Sequence, residues 1–333
     1  MLTSTRNPLV KQIRQLHRAK GRREQGCFLL EGTNLVEAAC QQRYPLAVVC
    51  ATEHWLGTHQ RLWEQLSETV GRCEAVSEAV LGAIATTKNP DGIAAVAYRD
   101  TWTPSMEATG ERPQVSLALE RLQDPGNLGA IIRVAAATAV TELLVSSDSV
   151  DLDHPKVLRA SAGQWFRVPL RSSPDLIDTI QAQKIRGVQV VATAPAASRT
   201  YWDLDWRSPT LILLGNEGGG LSPELSALAD TAVSIPQSPD VESLNVAMSA
   251  ALLLYEGQRQ YATFSLCCCP ISDGISCPKY VSKAEFSDGS FLNKTVRWNH
   301  RTNLPPHAKQ NYLQGFIKIH SGRNSALKNG IQR

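Results

Sequence analysis

The chain has 333 residues, of which 43% are hydrophobic, and a net charge of +3 at neutral pH. This composition excludes a fibre, a repeat array or a disordered protein and is sufficient for two domains with ordinary cores. The charge is uneven, because residues 1–25 hold seven Lys or Arg against one Glu and residues 261–333 hold ten against three. Basic ends can bind a polyanion, although solvated charged faces are as common an explanation.

Short apolar runs alternate with helix-like segments between Gly26 and Tyr98. Their order is CFLLE, GTNLVEAACQQ, LAVVCA, THQRLWEQLSE, CEAVS, SEAVLGAIA and GIAAVAY. This alternation predicts a small α/β domain over residues 1–98. Residues 99–114 contain two prolines and one glycine without periodicity, and we interpret them as a linker.

A second α/β block follows over residues 115–260. Near-continuous apolar strands predict a parallel sheet that is covered on both faces. The predicted strands are VSLALE, ELLVSS, FRVPL, VQVVATA, TLILLG and AVSIP, and the predicted helices span 127–138, 154–163, 174–184, 222–229 and 243–260. After Tyr261 the composition changes to Ser, Asn, Lys, Gly and Cys, so we expect residues 261–333 to form a poorly ordered tail.

Targeting and metal-binding patterns are weak. The opening MLTSTRNPLVKQ lacks the apolar region of a signal peptide and no apolar run is long enough to span a membrane, which predicts a cytoplasmic protein. Four cysteines in apolar contexts are predicted to be buried thiols: Cys27, Cys40, Cys50 and Cys73. The tail cysteines, at 267–269 and 277, do not match the paired spacing of a zinc ribbon, so no metal site is expected.

The first strand of the second block leads into LERLQDPGNLGAIIRVA. Here Asp124, Pro125 and Gly126 predict a turn, after which Asn127 can cap a helix that carries Arg133. Six residues at about 100° each place Asn127 and Arg133 on different faces of that helix. A well-capped helix with one exposed arginine is the alternative explanation, and this stretch by itself favours it.

A second connection, LLGNEGGGLSPE, holds Asn216 and Glu217 among glycines. Gly215 and Gly218 to Gly220 lack β-carbons, so the backbone there can adopt positive φ and approach another group closely. Ser222 followed by Pro223 predicts a helix start. Loops beyond the carboxyl ends of strands often bind ligands in open α/β sheets, but a tight connection explains these glycines about as well.

The third connection is IPQSPDVESLNVAMSAALLLYE, in which Ser243 and Asn245 precede an alanine-rich helix. Small residues allow that helix to pack closely, and a plain N-cap role for Ser243 is the alternative explanation. The sequence contains no GxxxxGK[ST], GxSxG or HExxH motif and no GxGxxG after the first strand of this block. Nucleotide hydrolysis, esterase, zinc-protease and nicotinamide chemistries are therefore disfavoured.

These three segments, in this order, resemble the three motifs of the SpoU (TrmH) family of RNA ribose 2′-O-methyltransferases. The N-terminal TSTRNPLVKQIRQLHRAKGRREQGCFLLEGTNLVEAA resembles the substrate-binding domain that many members carry. The resemblance covers about residues 3–260. One departure lies in the third motif, which usually has IPM with a glycine two places on, where this chain has Gln237 and Pro239.

Membership would imply a SPOUT fold, in which the catalytic domain ends in a deep trefoil knot, and a homodimer whose active sites use both subunits. S-adenosylmethionine would donate the methyl group. The resemblance assigns the cofactor loops to Thr193, Gly215, Ile235 and Leu244. It assigns the target hydroxyl to Arg133, positioned by Asn127, Glu217, Ser243 and Asn245. Because a guanidinium stays protonated at neutral pH, we expect Arg133 to orient the ribose or phosphate and to stabilise the developing alkoxide.

The basic N-terminus is then expected to bind RNA phosphates. The candidate contacts are Lys11, Arg14, Arg18, Arg22 and Arg23. We expect 23S ribosomal RNA as the substrate, because the N-terminal domain resembles those of enzymes that act on ribosomal RNA. The alternatives are a transfer RNA 2′-O-methyltransferase and a non-catalytic RNA-binding protein of the same fold.

Overall fold

The computed structural model describes residues 1–99, 114–241 and 243–268, with side chains through Tyr261. The predicted linker, apart from its two end residues, and the tail beyond 268 lie outside the described residues. In the described part of the chain, no helix is long and apolar enough to cross a membrane.

The N-terminal half forms a four-stranded mixed sheet in the order β1-β4-β2-β3. Strand β4 is antiparallel to both β1 and β2, whereas β2 and β3 are parallel. The strands are β1 (Cys27–Glu31), β2 (Leu46–Thr52), β3 (Cys73–Val76) and β4 (Ile93–Tyr98), with helices α3 (Thr33–Gln41), α4 (Glu53–Thr58), α5 (Gln60–Thr69) and α6 (Glu78–Ile84) between them. The α/β alternation expected for this half is confirmed, with α4 as an additional short helix.

Two helices that the sequence reading did not predict precede this sheet, α1 (Pro8–Gln15) and α2 (Ala19–Gln25). The Asn7 side chain caps α1 by accepting a hydrogen bond from the Leu9 amide, and Pro8 occupies the first helical position. Leu9, Val10 and Ile13 are buried. The basic segment is therefore a pair of packed helices.

The second half forms a six-stranded sheet whose paired neighbours are all parallel, in the order β10-β8-β9-β5-β6-β7. Its strands are β5 (Val115–Leu119), β6 (Glu142–Ser146), β7 (Leu170–Ser173), β8 (Gln189–Thr193), β9 (Thr210–Leu214) and β10 (Thr231–Val233). The parallel sheet predicted from the continuous apolar strands is confirmed.

Helices cover both faces of the parallel sheet. In β9, Ile212 and Leu214 join the core against α7 and α11, whereas Leu211 and Leu213 join the core against α9 and α10. The helices are α7 (Pro125–Ala137), α8 (Pro155–Ala160), α9 (Leu176–Ile185), α10 (Pro223–Leu228) and α11 (Val246–Cys268). This explains why β9 is apolar from Leu211 to Leu214: each of its faces meets a helix layer.

Two expected boundaries are wrong. The stretch FRVPL was predicted as a strand, but Gln164–Arg167 forms a 3₁₀ helix and β7 begins only at Leu170. Phe166 is apolar because it is fully buried in the core of the N-terminal sheet, and not because it lies in a strand. Helix α11 also continues past the expected end at 260, to Cys268.

The two sheets are joined through an apolar cluster and two sets of ion pairs. Phe28 and Tyr44 of the N-terminal half pack against Trp165 and Phe166 with ring centroids 5.1 to 5.8 Å apart. The Arg22 guanidinium bridges Asp151 and Asp153 at 2.6 and 2.9 Å, and Arg99 lies 2.7 Å from the other Asp153 oxygen. On the other side, Arg159 lies 3.2 Å from the buried Glu31.

The four cysteines predicted to be thiols are free, with Cys27 and Cys50 buried and Cys40 and Cys73 half-buried. Burial raises the pKa of the Cys50 thiol to about 12. A thiol with so high a pKa contains little of the reactive thiolate at neutral pH, so Cys50 packs as a small apolar residue.

Candidate active site

The three connections singled out in the sequence meet at one edge of the parallel sheet. They follow β5, β9 and β10, and the carboxyl ends of parallel strands lie at the same edge. Hydrogen bonds between their side chains place Asn127, Glu217 and Asn245 in direct contact. The convergence expected from the motifs is therefore found within a single chain.

Helix α7 begins differently from the prediction. Asp124, and not Asn127, is its N-cap, since the Asp124 carboxylate accepts a hydrogen bond of 2.8 Å from the Gly126 amide. Pro125 takes the first helical position and Asn127 the third. Because capping is done by Asp124, the Asn127 side chain is free to bond to the other two loops.

The three side chains are joined by two hydrogen bonds that run the same way, from Asn245 to Asn127 and from Asn127 to Glu217. Asn127 donates from Nδ2 to Glu217 Oε1 at 3.1 Å, and its Oδ1 accepts from Asn245 Nδ2 at 2.9 Å. An ionised carboxylate only accepts hydrogen bonds, so Glu217 fixes which way the Asn127 amide points, and Asn127 in turn fixes Asn245. In the described part of the chain no hydrogen bond reaches Glu217 Oε2, which leaves one carboxylate oxygen for a ligand.

Asn245 also caps α11. Its Oδ1 accepts hydrogen bonds from the Ala247 and Met248 amides at 2.9 and 3.3 Å. The N-cap role considered for Ser243 is therefore wrong: Ser243 lies two residues before the cap, exposed. Helix α11 packs against α7 through small buried residues, including Ala247 and Ala250, as its composition predicted.

The glycine-rich loop is held by Asn216. Its Oδ1 accepts hydrogen bonds from the Gly218 and Gly219 amides at 2.9 and 3.0 Å, and its Nδ2 donates to the Arg121 carbonyl at 2.8 Å. A β-carbon on Gly215 would lie 2.1 Å from the Gly220 carbonyl carbon. Gly215 is thus required by the close approach of the loop's own backbone. Gly220 is the one glycine of this loop with positive φ.

A cavity of about 420 Å³ lies beside this network. Its walls include Leu214, Val233 and Val246, and the glycine loop forms one side. All four residues predicted to bind the cofactor line it, namely Thr193, Gly215, Ile235 and Leu244, together with Glu217 and Ser243. The Thr193 hydroxyl is held by a hydrogen bond of 3.0 Å to the Leu213 carbonyl.

Arg133 is not brought into this cavity. It lies exposed on α7, and among the described residues it has no hydrogen bond or ion pair. Six residues, about 1.7 turns of helix, separate Arg133 from Asn127 and place it on a different face, as the spacing predicted. Within one chain the guanidinium therefore stands apart from the polar network.

The basic N-terminal residues divide into two groups. Lys11, Arg14 and Arg18 are exposed and line a groove of about 480 Å³ between α1 and α2. Arg22 is 1% exposed and paired with two aspartates, so its assignment as an RNA contact is wrong. Arg23 is largely exposed but pairs with Asp151 at 3.2 Å.

Two polar residues of the site were missed by the sequence reading. Glu120 is nearly buried and accepts a hydrogen bond of 2.7 Å from the Ser222 amide, which ties the end of β5 to the start of α10. Asn216 was noted only as a loop amide, although an asparagine two residues before a glycine is a known signal for this kind of turn. In the part of the chain that the structure describes, no group of three metal-ligating side chains is found.

Comparison with known proteins gives a consistent result. Residues 114–255 match the model of the SpoU rRNA Methylase family, and residues 7–95 match an MRM3-like substrate binding domain. An uncharacterized tRNA/rRNA methyltransferase of Synechocystis is 44% identical over 78% of this chain and 93% of its own length. The 23S rRNA (guanosine(2553)-2′-O)-methyltransferase of Bacillus subtilis is 31% identical over 76% of this chain and 97% of its own length.

Solved structures agree with the sequence comparisons. An rRNA methyltransferase of Sinorhizobium meliloti with bound AdoMet (S-adenosylmethionine) superposes with a TM-score of 0.69 and 31% identity. The match covers 78% of this chain and 97% of that one.

Proposed function

The chain belongs to the SpoU family of RNA 2′-O-methyltransferases, and from this we propose how its residues carry out methyl transfer from S-adenosylmethionine to a ribose 2′-hydroxyl. The observation that carries the proposal is the Asn127, Glu217 and Asn245 network beside the cavity. It places a carboxylate and two amides, each held in one orientation, next to a space that suits a small molecule.

The cavity fits the cofactor. Its volume of about 420 Å³ lies within the usual range for ligand sites, roughly 300 to 1,000 Å³. Apolar side chains can flank a flat adenine ring, and the backbone of the glycine loop can approach it closely. Thr193, Gly215, Ile235 and Leu244 would hold S-adenosylmethionine, which supplies a methyl group on a positively charged sulfur.

The reaction makes two demands on the protein: the hydroxyl must be aligned with the methyl group, and the charge that develops on the oxygen must be stabilised. Arg133 meets the second demand, because a guanidinium binds a ribose, a phosphate or an alkoxide through charge-assisted hydrogen bonds. Glu217 and Ser243, at the edge of the cavity, orient the ribose and the guanidinium. Asn127 holds Glu217 by a direct hydrogen bond, and Asn245 in turn holds Asn127.

We propose that Arg133 acts at the site of a second copy of the chain. In its own chain Arg133 is exposed and outside the cavity, so the site is incomplete without a partner. Helix α11 also exposes Met248, Leu252 and Tyr255 on one face, with 41 to 56% of each residue accessible. Such an apolar stripe supports a homodimer, which the resemblance implies together with the trefoil knot.

Complementation tests the shared site. Arg133→Ala and Asn127→Ala are each expected to be nearly inactive as homodimers. When the two variants are co-expressed, half of the sites in a heterodimer combine a wild-type Arg133 from one chain with a wild-type Asn127 from the other, so activity returns. If Arg133 acts within its own chain, no site in the heterodimer is complete and no activity returns.

The proposed substrate is 23S ribosomal RNA. The Bacillus subtilis relative, named for a 23S ribosomal RNA nucleoside, aligns over nearly its full length, which supports this choice. The exposed Lys11, Arg14 and Arg18 would bind phosphates along the RNA. Since ribosomal RNA is the substrate, we expect the protein to act in the cytoplasm.

Methyl transfer from labelled S-adenosylmethionine to unmodified ribosomal RNA and transfer RNA tests the substrate. The proposal expects faster labelling of ribosomal RNA. Faster labelling of transfer RNA would make the chain a transfer RNA enzyme. RNA binding without labelling of either RNA would favour a non-catalytic role.

A further inference from the structure

One polar atom at the cofactor cavity is left without a partner. Gln237 follows β10 and lines the cavity, and its side-chain carbonyl oxygen Oε1 is shielded from solvent. Among the described residues no group donates a hydrogen bond to this oxygen. Two other described side-chain atoms are also shielded from solvent and without a hydrogen-bond partner, Arg121 Nε and Asp153 Oδ2. Each of these two atoms lies within 4 Å of an oppositely charged group.

A buried acceptor without a hydrogen bond is costly, because it has lost its bonds to water and gained none in the protein. Folded proteins pair nearly all such groups, and unpaired ones often mark a place where a ligand completes the bonding. No described residue supplies a hydrogen bond to Gln237 Oε1, so the occupant of the cavity is the natural source of a donor.

The walls near Gln237 indicate which part of the occupant it meets. Ile235, two residues earlier, lines the same cavity and packs against the core, and Leu214 and Leu244 contribute further apolar surface. Such walls suit a flat aromatic ring whose polar groups lie only on its edge. An adenine ring has one exocyclic hydrogen-bond donor on its edge, the N6 amine.

We propose that Gln237 reads the adenine of the cofactor, with Oε1 accepting a hydrogen bond from the N6 amine. This inference rests on the proposed function, since it takes S-adenosylmethionine as the occupant. A carbonyl acceptor at this position favours adenine over hypoxanthine, which carries an oxygen in place of the amine. In the orientation that the structure gives, with Oε1 shielded from solvent at the cavity, the two oxygens would face one another without a proton between them. Hypoxanthine would then bind equally well only if the Gln237 amide turned over to present Nε2 as a donor.

Gln237 is a departure from the motif that this segment of the sequence resembles. The SpoU motif that this segment resembles has methionine where this chain has Gln237, and a thioether is only a weak acceptor. The proposed acceptor is therefore supplied by Gln237 and not by that motif.

Calorimetric titration with two product analogues tests the proposal without requiring turnover. The ligands are S-adenosylhomocysteine and S-inosylhomocysteine, which differ only at the base. Gln237→Met is expected to weaken the adenine ligand about fivefold, the value of one ordinary hydrogen bond, and to leave the inosine ligand unchanged. The preference for adenine, measured as the ratio of the dissociation constants of the two ligands, should be smaller in Gln237→Met than in the wild type by the same factor.

Two further variants complete the design. Gln237→Glu keeps an acceptor at this position and is expected to retain the preference for adenine, even if both ligands bind more weakly. Gln181→Met is the matched control, because Gln181 is exposed on α9 and lies outside the cavity. It should bind both ligands like the wild type.

The possible results distinguish the role of Gln237 from the proposed function of the site. Equal affinities of Gln237→Met and wild type for S-adenosylhomocysteine, or an equal loss for both ligands, would overturn the role of Gln237 and leave the cofactor site standing. Failure of the wild-type protein to bind S-adenosylhomocysteine would instead overturn the proposed function. Should Gln237→Met not fold, loss of the adenine preference in Gln237→Glu would still count against the proposal.

Discussion

Charged and polar side chains occur in two very different settings in this molecule. Between the two sheets, Arg22 and Asp153 are almost completely buried and bonded to each other, at 2.9 Å. At the edge of the parallel sheet, the half-buried Asn127 is bonded in series with the exposed Glu217 and Asn245. The first arrangement joins structural units, whereas the second presents groups to a ligand.

Residue type alone does not show whether a charged side chain stabilises the fold or binds a ligand. Arg18 and Arg22 lie one helical turn apart in the same basic segment, yet Arg18 is exposed to solvent and Arg22 is buried. From this we expect changes between the sheets to alter stability and changes at the edge of the sheet to alter turnover. Each of the following experiments could contradict this separation between effects on stability and effects on turnover.

Arg22→Ala is expected to lower the free energy of unfolding by roughly 3 to 5 kcal/mol, because it leaves two aspartates without their buried partner. Urea denaturation measures the change. Arg23→Ala on the same helix is the control: Arg23 is 63% exposed in its side chain, and its pair with Asp151 should contribute less than about 1 kcal/mol. Equal losses in the two variants would mean that burial does not govern the effect.

Arg133→Ala is expected to reduce kcat by about 100-fold or more, the usual effect of removing a group that stabilises transition-state charge. Unfolding midpoints and the affinity for S-adenosylhomocysteine should stay unchanged, since Arg133 is exposed and outside the cavity. Arg186→Ala, another exposed arginine, serves as the control for loss of a surface charge. Wild-type turnover in Arg133→Ala would refute its assignment.

Asn127→Ala removes both hydrogen bonds that connect Glu217 to Asn245, and misplacement of Glu217 should slow turnover by up to about 100-fold. Asn127→Asp is expected to be slower still, because it sets a second carboxylate against Glu217. Steady-state kinetics of the three proteins gives the order. An Asn127→Asp variant as active as the wild type would show that the network does not hold the site.

Arg14→Ala and Arg18→Ala should each weaken RNA binding modestly and reduce the slope of log affinity against log salt concentration by about 1. Fluorescence anisotropy with labelled RNA over a salt series measures both quantities. Arg61→Ala, on the exposed surface of α5, is the control and should leave the slope unchanged. An unchanged slope in all three variants would remove the α1 and α2 groove from the RNA interface.

Much of the fold follows from local patterns in the sequence. The continuous apolar strands predicted the parallel sheet, because each strand meets a helix layer on both faces. Strand β7 escaped prediction since it is polar, with Arg171 and Ser172 exposed at the edge of the sheet. Helix α1 escaped because its charges obscured the apolar positions that pack on the sheet, and α2 escaped because its buried residues are Gly21 and Arg22.

The site could be predicted only in part. The motifs indicated which loops meet, and the structure brings Asn127, Glu217 and Asn245 together. Which residue caps each helix depends on backbone geometry at single positions. For this reason the N-caps are Asp124 and Asn245, and not Asn127 and Ser243 as the sequence suggested. The Arg22 pairs join residues about 130 positions apart, and no local pattern encodes such a contact.

The central claim is that the edge of the parallel sheet transfers a methyl group to a ribose oxygen. Digestion of labelled RNA to nucleosides, after incubation with the wild-type protein and labelled S-adenosylmethionine, tests it most directly. The account predicts that the label elutes as a 2′-O-methylnucleoside and is absent when Arg133→Ala replaces the wild type. Label on a base, or equal ribose labelling by both proteins, would contradict it.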